Sequence, residues 1–146
     1  MDLRALSDTY STSGQLQPED MATIAAQGFT TVICNRPDSE NPPELQAAAM
    51  QKAAEDAGLV FVFNPVIATA LSHTSIDEQA DALAASDGPV VAYCASGMRS
   101  SLLWSLSVAG QMPTEEILDR TRAAGYPLDH LHGQIDGVRA RRSGQE

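Results

Sequence analysis

The stretch CASGMRSS (94–101) puts a cysteine and an arginine five positions apart, with small or flexible residues between them. The residue types suggest a chemistry. A thiolate is a nucleophile, and the planar arginine fork grips two oxygens of a tetrahedral anion. Ala95, Ser96 and Gly97 are small enough for the backbone to approach that anion. Successive N–H groups running through Met98 to Arg99 can curl into a nest around it. A helix starting there would aim its positive end at the same point and favour the thiolate form of Cys94. Ser100 or Ser101 is placed to hydrogen-bond the sulfur and help it leave in a second step. The bland alternative is a buried, inert cysteine and an arginine that merely solvates a helix start. Strand, cysteine, small residues, glycine, arginine, serine and helix occur in the order that catalysis requires, which favours the chemical reading.

Such a loop needs a strand before it and a helix after it. PVVAYC (89–94) supplies the strand, and TTVICN (30–35) and LVFVFN (59–64) are similar runs rich in β-branched or aromatic residues. All three read as buried parallel strands. Helical patterns alternate with them. Pro18 opens one that carries Met21, Ile24 and Ala25 and stops at Gly28. Leu45, Ala49, Ala53 and Ala57 recur every four residues before Gly58. Ser75 and Glu78 have capping-box spacing ahead of Ile76, Ala80, Leu83 and Ala84. Met98, Leu102, Leu106 and Ala109 line one face after the cysteine loop, and Trp104 on that helix is expected in the core. Pro113 and Gly125 bracket a last helix with Ile117, Leu118 and Thr121. YSTSGQ (10–15) is expected to add a short edge strand. The alternation predicts a three-layer α/β domain with a mostly parallel sheet flanked by helices. Ligands of such sheets bind beyond the carboxyl ends of the strands, where Cys94 stands. The domain is expected over 1–128, with 129–146 as a loosely ordered tail.

The whole-chain numbers limit the function classes. The chain has 146 residues and 43% hydrophobic content, enough for one buried core without disulfides or metal. A net charge of −10, with Lys52 as the single lysine, argues against nonspecific binding to nucleic acid or anionic membranes. No apolar run reaches membrane-spanning length and the first residues lack a signal-peptide core, so the cytoplasm is expected.

CASGMRSS resembles the active-site loop of the rhodanese sulfurtransferases, in which Cys, four residues and Arg enclose a six-residue cradle. Cysteine-dependent phosphatases usually place five residues between the two. The chain upstream is similar to the bacterial beta-lactamase hydrolase-like, phosphatase-like domain family. That likeness lies in TSGQLQPEDMATIAAQGFTTVICNRPDSE, LVFVFNPV and YCASGMRS, and spans roughly residues 3–125. It implies a three-layer cysteine-phosphatase-like fold resembling dual-specificity phosphatases, although many family members carry a sulfurtransferase label. The domain also occurs fused to metallo-hydrolase domains that act on persulfides. A rhodanese fold proper is disfavoured, because a helix follows VICNRPDSE where the rhodanese Gly-His-Ile-Pro-Gly-Ala-like turn belongs.

The resemblance leaves two chemistries. In the first, favoured slightly, Cys94 attacks phosphorus, Arg99 and the loop amides stabilise the equatorial oxygens, and an acid protonates the leaving group. Dual-specificity phosphatases usually carry that acid after the strand corresponding to FNPV. Here IATALSHTSID follows, with no carboxylate before Asp77, so Asp38, or failing it Glu40, is the nearest substitute. Tyr93 also stands where phosphatases usually have His. In the second chemistry Cys94 carries a sulfane sulfur from thiosulfate or glutathione persulfide, needs no acid, and fits the short loop. A third reading, an inactive anion-binding module, has an intact Cys, Gly and Arg against it.

The expected partner is a small anionic substrate or a phosphorylated protein, with no cofactor and no metal. Arg36 either lines the anion site or pairs with Asp38 or Glu40. Cys34 either forms a protective disulfide with Cys94 or, as favoured, is a buried side chain. His73 is read as a loop residue. His130 and His132, with Asp129 and Asp136, lack the further ligand of a zinc site, and RARR (139–142) reads as a solvated basic patch.

Overall fold

The computed structural model describes residues 1–144. Eleven regular elements follow one another. They are β1 (Arg4–Ser7), β2 (Tyr10–Ser13), α1 (Asp20–Ala26), β3 (Thr31–Cys34), α2 (Ala47–Asp56), β4 (Val60–Phe63), α3 (His73–Ala85), β5 (Val90–Tyr93), α4 (Met98–Ser107), α5 (Thr114–Ala123) and α6 (His132–Arg142). The five strands form one sheet in the order β1-β2-β5-β3-β4, with β1 antiparallel to β2 and the other neighbours parallel. This is the mixed, mostly parallel sheet between helix layers that the alternation predicts.

Register positions the site. Ser13 and Cys34 both align with Tyr93, and Cys34 aligns with Phe63, so all four parallel strands end at one level. The loops after them open on the same edge of the sheet. Side chains alternate along each strand and build two cores. Val32, Cys34, Val91 and Tyr93 pack with Met21 and Ile24 of α1 and Met50 and Ala54 of α2. Ile33, Val90 and Ala92 face the opposite way, toward α4, α5 and α6. Because helices and the sheet surround α4, every residue from Ser100 to Ser107 in it is buried, and Trp104 is in the core as expected.

Several expectations need correction. YSTSGQ supplies β2, which lies inside the sheet between β5 and the true edge strand β1. β4 forms the opposite edge and is only partly covered, with Val60 60% exposed. Met98 is exposed while Leu102, Leu106 and Ala109 of its expected face are buried. α3 starts three residues earlier than Ser75 suggests, because the Ser72 hydroxyl accepts the Ser75 N–H and caps it. The expected loose tail is instead a 3-10 turn at Asp129–Leu131 followed by α6, and residues 145–146 lie outside the described residues. Leu131, Ile135 and Val138 bury the apolar side of that segment. Arg139 and Arg142 are equally committed. They donate to the carbonyls of Met112, Ser107 and Ala109, so the basic run anchors the helix to the end of α4. Among the described residues no helix is long and apolar enough to cross a membrane.

Candidate active site

Cys94 directly follows β5 and is fully buried, and its Sγ accepts the Gly97 N–H at 3.1 Å. That bond curls residues 94–97 around the sulfur. The N–H groups of Ala95 and Ser96 carry no hydrogen bond among the described residues, and both residues are exposed. The Met98 N–H is taken by the Ser96 hydroxyl at 3.3 Å.

The loop is gripped from behind by groups that carry no signal in the sequence. Cys94 N–H donates to Ser13 O and Gln15 N–H to Ala95 O, which ties the cradle to the loop after β2. Gly97 adopts φ +93, and a Cβ there would stand 2.2 Å from the Tyr126 hydroxyl. Tyr126, 4% exposed, therefore packs against the one loop position that only glycine fills.

Arg99 is the second anchor, and its donors can be counted. Nη1 donates to Glu40 Oε2 at 2.9 Å and to Val66 O at 3.0 Å, and Nη2 donates to Glu40 Oε1 at 2.8 Å. A guanidinium has five N–H groups. Among the described residues the Nε–H and one Nη2–H remain, and they lie side by side along one edge of the guanidinium. Glu40 thus occupies the far edge and leaves a two-pronged edge for an anion. The hydrogen bond to Glu40 raises the Arg99 pKa above its ordinary value, and the nearby Cys94 adds to the effect.

Glu40 itself is held by two arginines. Arg36 Nε donates to Glu40 Oε1 at 3.1 Å and Arg36 Nη2 to its carbonyl at 3.2 Å, while Nη1 reaches Gln15 Oε1. Arg36 therefore takes the pairing alternative, with Glu40 as its partner. The Arg99 guanidinium holds the Glu40 carboxyl below the usual carboxylate range, and Arg36 contributes. Asp38, in the same 3-10 turn, caps α2 by accepting the Ala47 N–H at 2.8 Å.

The two serines after Arg99 do not donate to the sulfur. Ser100 Oγ donates to Asn35 Oδ1 at 2.9 Å, and Ser101 Oγ to Gly97 O at 2.8 Å. Ser100 joins a buried amide network instead. Asn35 Nδ2 and Asn64 Nδ2 both donate to Gln79 Oε1, and Gln79 Nε2 donates to Asn35 Oδ1 and to the Tyr10 hydroxyl, which donates to Ser100 O. The network ties the ends of β3 and β4 to α3, β2 and the first turn of α4. A sequence signal for it exists: VICN and FVFN both put asparagine directly after the strand.

Cys34 points to the α1–α2 core, where its Sγ lies 3.4 Å from Arg36 O and burial pushes its thiol pKa up. Both cysteines are free thiols. His73 is exposed at the first turn of α3. His132 lies between Glu115 and Asp136, and no group of three or more metal-type ligands occurs among the described residues.

Comparisons with known proteins bear on the family and the fold. The family model for the beta-lactamase hydrolase-like protein, phosphatase-like domain, matches residues 2–111. A beta-lactamase hydrolase-like protein of Xylella fastidiosa (strain Temecula1) is 32% identical over 130 residues, which are 88% of this chain and 30% of that protein. The chain thus spans under a third of the length of the curated relatives it matches. Among solved structures, a candidate phosphatase of Neisseria meningitidis Z2491 is 34% identical, with a TM-score of 0.81 over 95% of this chain and 99% of that one. TpbA of Pseudomonas aeruginosa, crystallised in a cysteine-to-serine form with phosphotyrosine, shares the fold. It has a TM-score of 0.68 at 17% identity, over 97% of this chain and 90% of that one.

Proposed function

The chain belongs to the family of beta-lactamase hydrolase-like protein, phosphatase-like domains; from the furnishing of its site we propose that Cys94 is a nucleophile for group transfer without a general acid, carrying sulfane sulfur. The observation behind this reading is how the nearby carboxylates are used. An acid must hold a proton at working pH. Glu40 lies between Arg99 and Arg36 with its carboxyl held low, and Asp38 caps α2. The loop after β4, residues 64–72, contains no carboxylate at all. A site furnished in this way suits leaving groups that depart as stable anions.

With thiosulfate, the Cys94 thiolate attacks the outer sulfur. A sulfur–sulfur bond forms at Cys94, the bond within thiosulfate breaks, and its electron pair leaves on sulfite. No proton is transferred. The side edge of Arg99 and the Ala95 and Ser96 N–H groups face the donor's negative oxygens, and the Gly97 N–H supports the sulfur's charge. A second nucleophile, such as a thiolate or cyanide, then removes the outer sulfur and returns Cys94 to its thiolate.

Phosphoryl transfer is the second reading. The candidate-phosphatase description of the Neisseria relative and the phosphotyrosine bound by TpbA favour it. Without an acid it would be confined to activated aryl esters. A steady-state assay with thiosulfate and cyanide separates the two. Thiocyanate and sulfite forming in equal amounts, and neither forming with Cys94→Ser, is the expected result. Turnover of an activated aryl phosphate by a protein that forms no thiocyanate would move the assignment to phosphoryl transfer.

A further inference from the structure

The hydrogen bond from Arg99 Nη1 to Val66 O pins the loop after β4 against the cradle. A large apolar residue lies one position from each end of that bond along the chain. Ile67 is 57% exposed and Met98 is 38% exposed. Other apolar residues of the same segments, Val66 and Leu102, are buried. The remaining mouth of the cradle is polar, with Arg36 and Glu40 bound to each other and to Gln15 or Arg99. The stretch NPVIATALS (64–72) carries no charge, so nothing on this side of Arg99 complements a second anionic group.

We propose that Ile67 and Met98 form an apolar lip that receives the organic part of the donor. The substrate class is then a sulfane-sulfur donor whose leaving group bears an aryl or alkyl group, in preference to inorganic thiosulfate. This rests on the sulfur-transfer reading and adds to it what lies beyond the reacting atom. With an aryl thiosulfonate, the Cys94 thiolate takes the terminal sulfur, the sulfur–sulfonyl bond breaks, and the electron pair leaves on the aryl sulfinate. The atoms balance without a proton or an added oxidant.

Benzenethiosulfonate and thiosulfate make a suitable pair, because a phenyl group in one replaces a charged oxygen in the other. The test compares kcat/KM for the two donors, with cyanide as acceptor, in the wild type and in Ile67→Ser and Met98→Gln. Covering part of a phenyl ring with one such side chain gives about a fivefold preference. Each substitution should lower the aryl-to-inorganic ratio by about that factor, through a raised KM for benzenethiosulfonate. Val60→Ser is the control. Val60 is as exposed as Ile67 but stands at the other end of β4, and its ratio should equal that of the wild type. An unchanged ratio in both lip variants overturns the lip and leaves sulfur transfer standing. Failure of both donors to yield thiocyanate in the wild type overturns the sulfur-transfer reading and the lip with it.

Discussion

Glu40 and Arg99 show how a residue far away in sequence determines what a motif can do. Arg99 is legible from CASGMRSS, because its spacing from Cys94 depends only on local chain geometry. The Glu40 contact is not, since it spans 59 positions and depends on how the loop after β3 folds. Its trace in the sequence is the i,i+4 spacing of Arg36 and Glu40, which reads equally well as a surface pair. Glu40 acts as a positioning residue, so Glu40→Gln should raise KM for anionic donors by about tenfold, the cost of one weakened charge-assisted contact. Steady-state kinetics check this, and Glu40→Asp should recover part of the loss if the ion pair is what matters. The pH dependence follows in sign. A carboxyl whose folded-state pKa lies below its unfolded value of about 4.3 contributes stability fully above that value. The contribution is lost as pH falls through the lower folded-state pKa. Unfolding midpoints between about pH 5 and pH 3 should therefore fall less steeply in Glu40→Gln than in the wild type.

The elements are legible where periodicity is strong and obscure where a short segment's partners lie elsewhere in the fold. β3 and β5 are fully buried runs, and the helix after the cysteine loop announces itself through Gly97 and Arg99. β1 is hard to read because it is four residues of exposed and buried positions at an edge. α6 is equally hard, because GQIDGVRARR contains two glycines and only Ile135 and Val138 as large apolar residues. Tertiary packing, not helix propensity, makes it a helix. At the cradle, the requirement for glycine is both conformational and steric. Gly97→Ala must place a Cβ against Tyr126 at a positive φ. It should abolish sulfur transfer even where the circular dichroism spectrum is native. Gly97→Ala combined with Tyr126→Phe removes the hydroxyl but not the unfavourable φ, and should recover little.

The whole molecule has two apolar cores on opposite faces of one sheet, and neighbouring residues of β5 belong to different cores. Neither face can therefore come apart without the other, and unfolding should be a single transition. Ile24→Ala on α1 and Ile135→Ala on α6 remove fully buried side chains from opposite sides. Each should lower stability by about 2–4 kcal/mol. Denaturant curves followed by Trp104 fluorescence and by far-ultraviolet circular dichroism should coincide in both variants; separate transitions would show two independent layers. The same sheet brings four strand ends to one level, so that the cysteine loop, the Glu40 turn and the Val66 loop meet. The most direct test of the central claim is the intact mass of the reduced protein after brief exposure to thiosulfate. Sulfur transfer predicts one added sulfur atom, located on Cys94, absent in Cys94→Ser, and removed by cyanide. An unaltered mass, from a protein that releases phosphate from an aryl phosphate through Cys94, would contradict it.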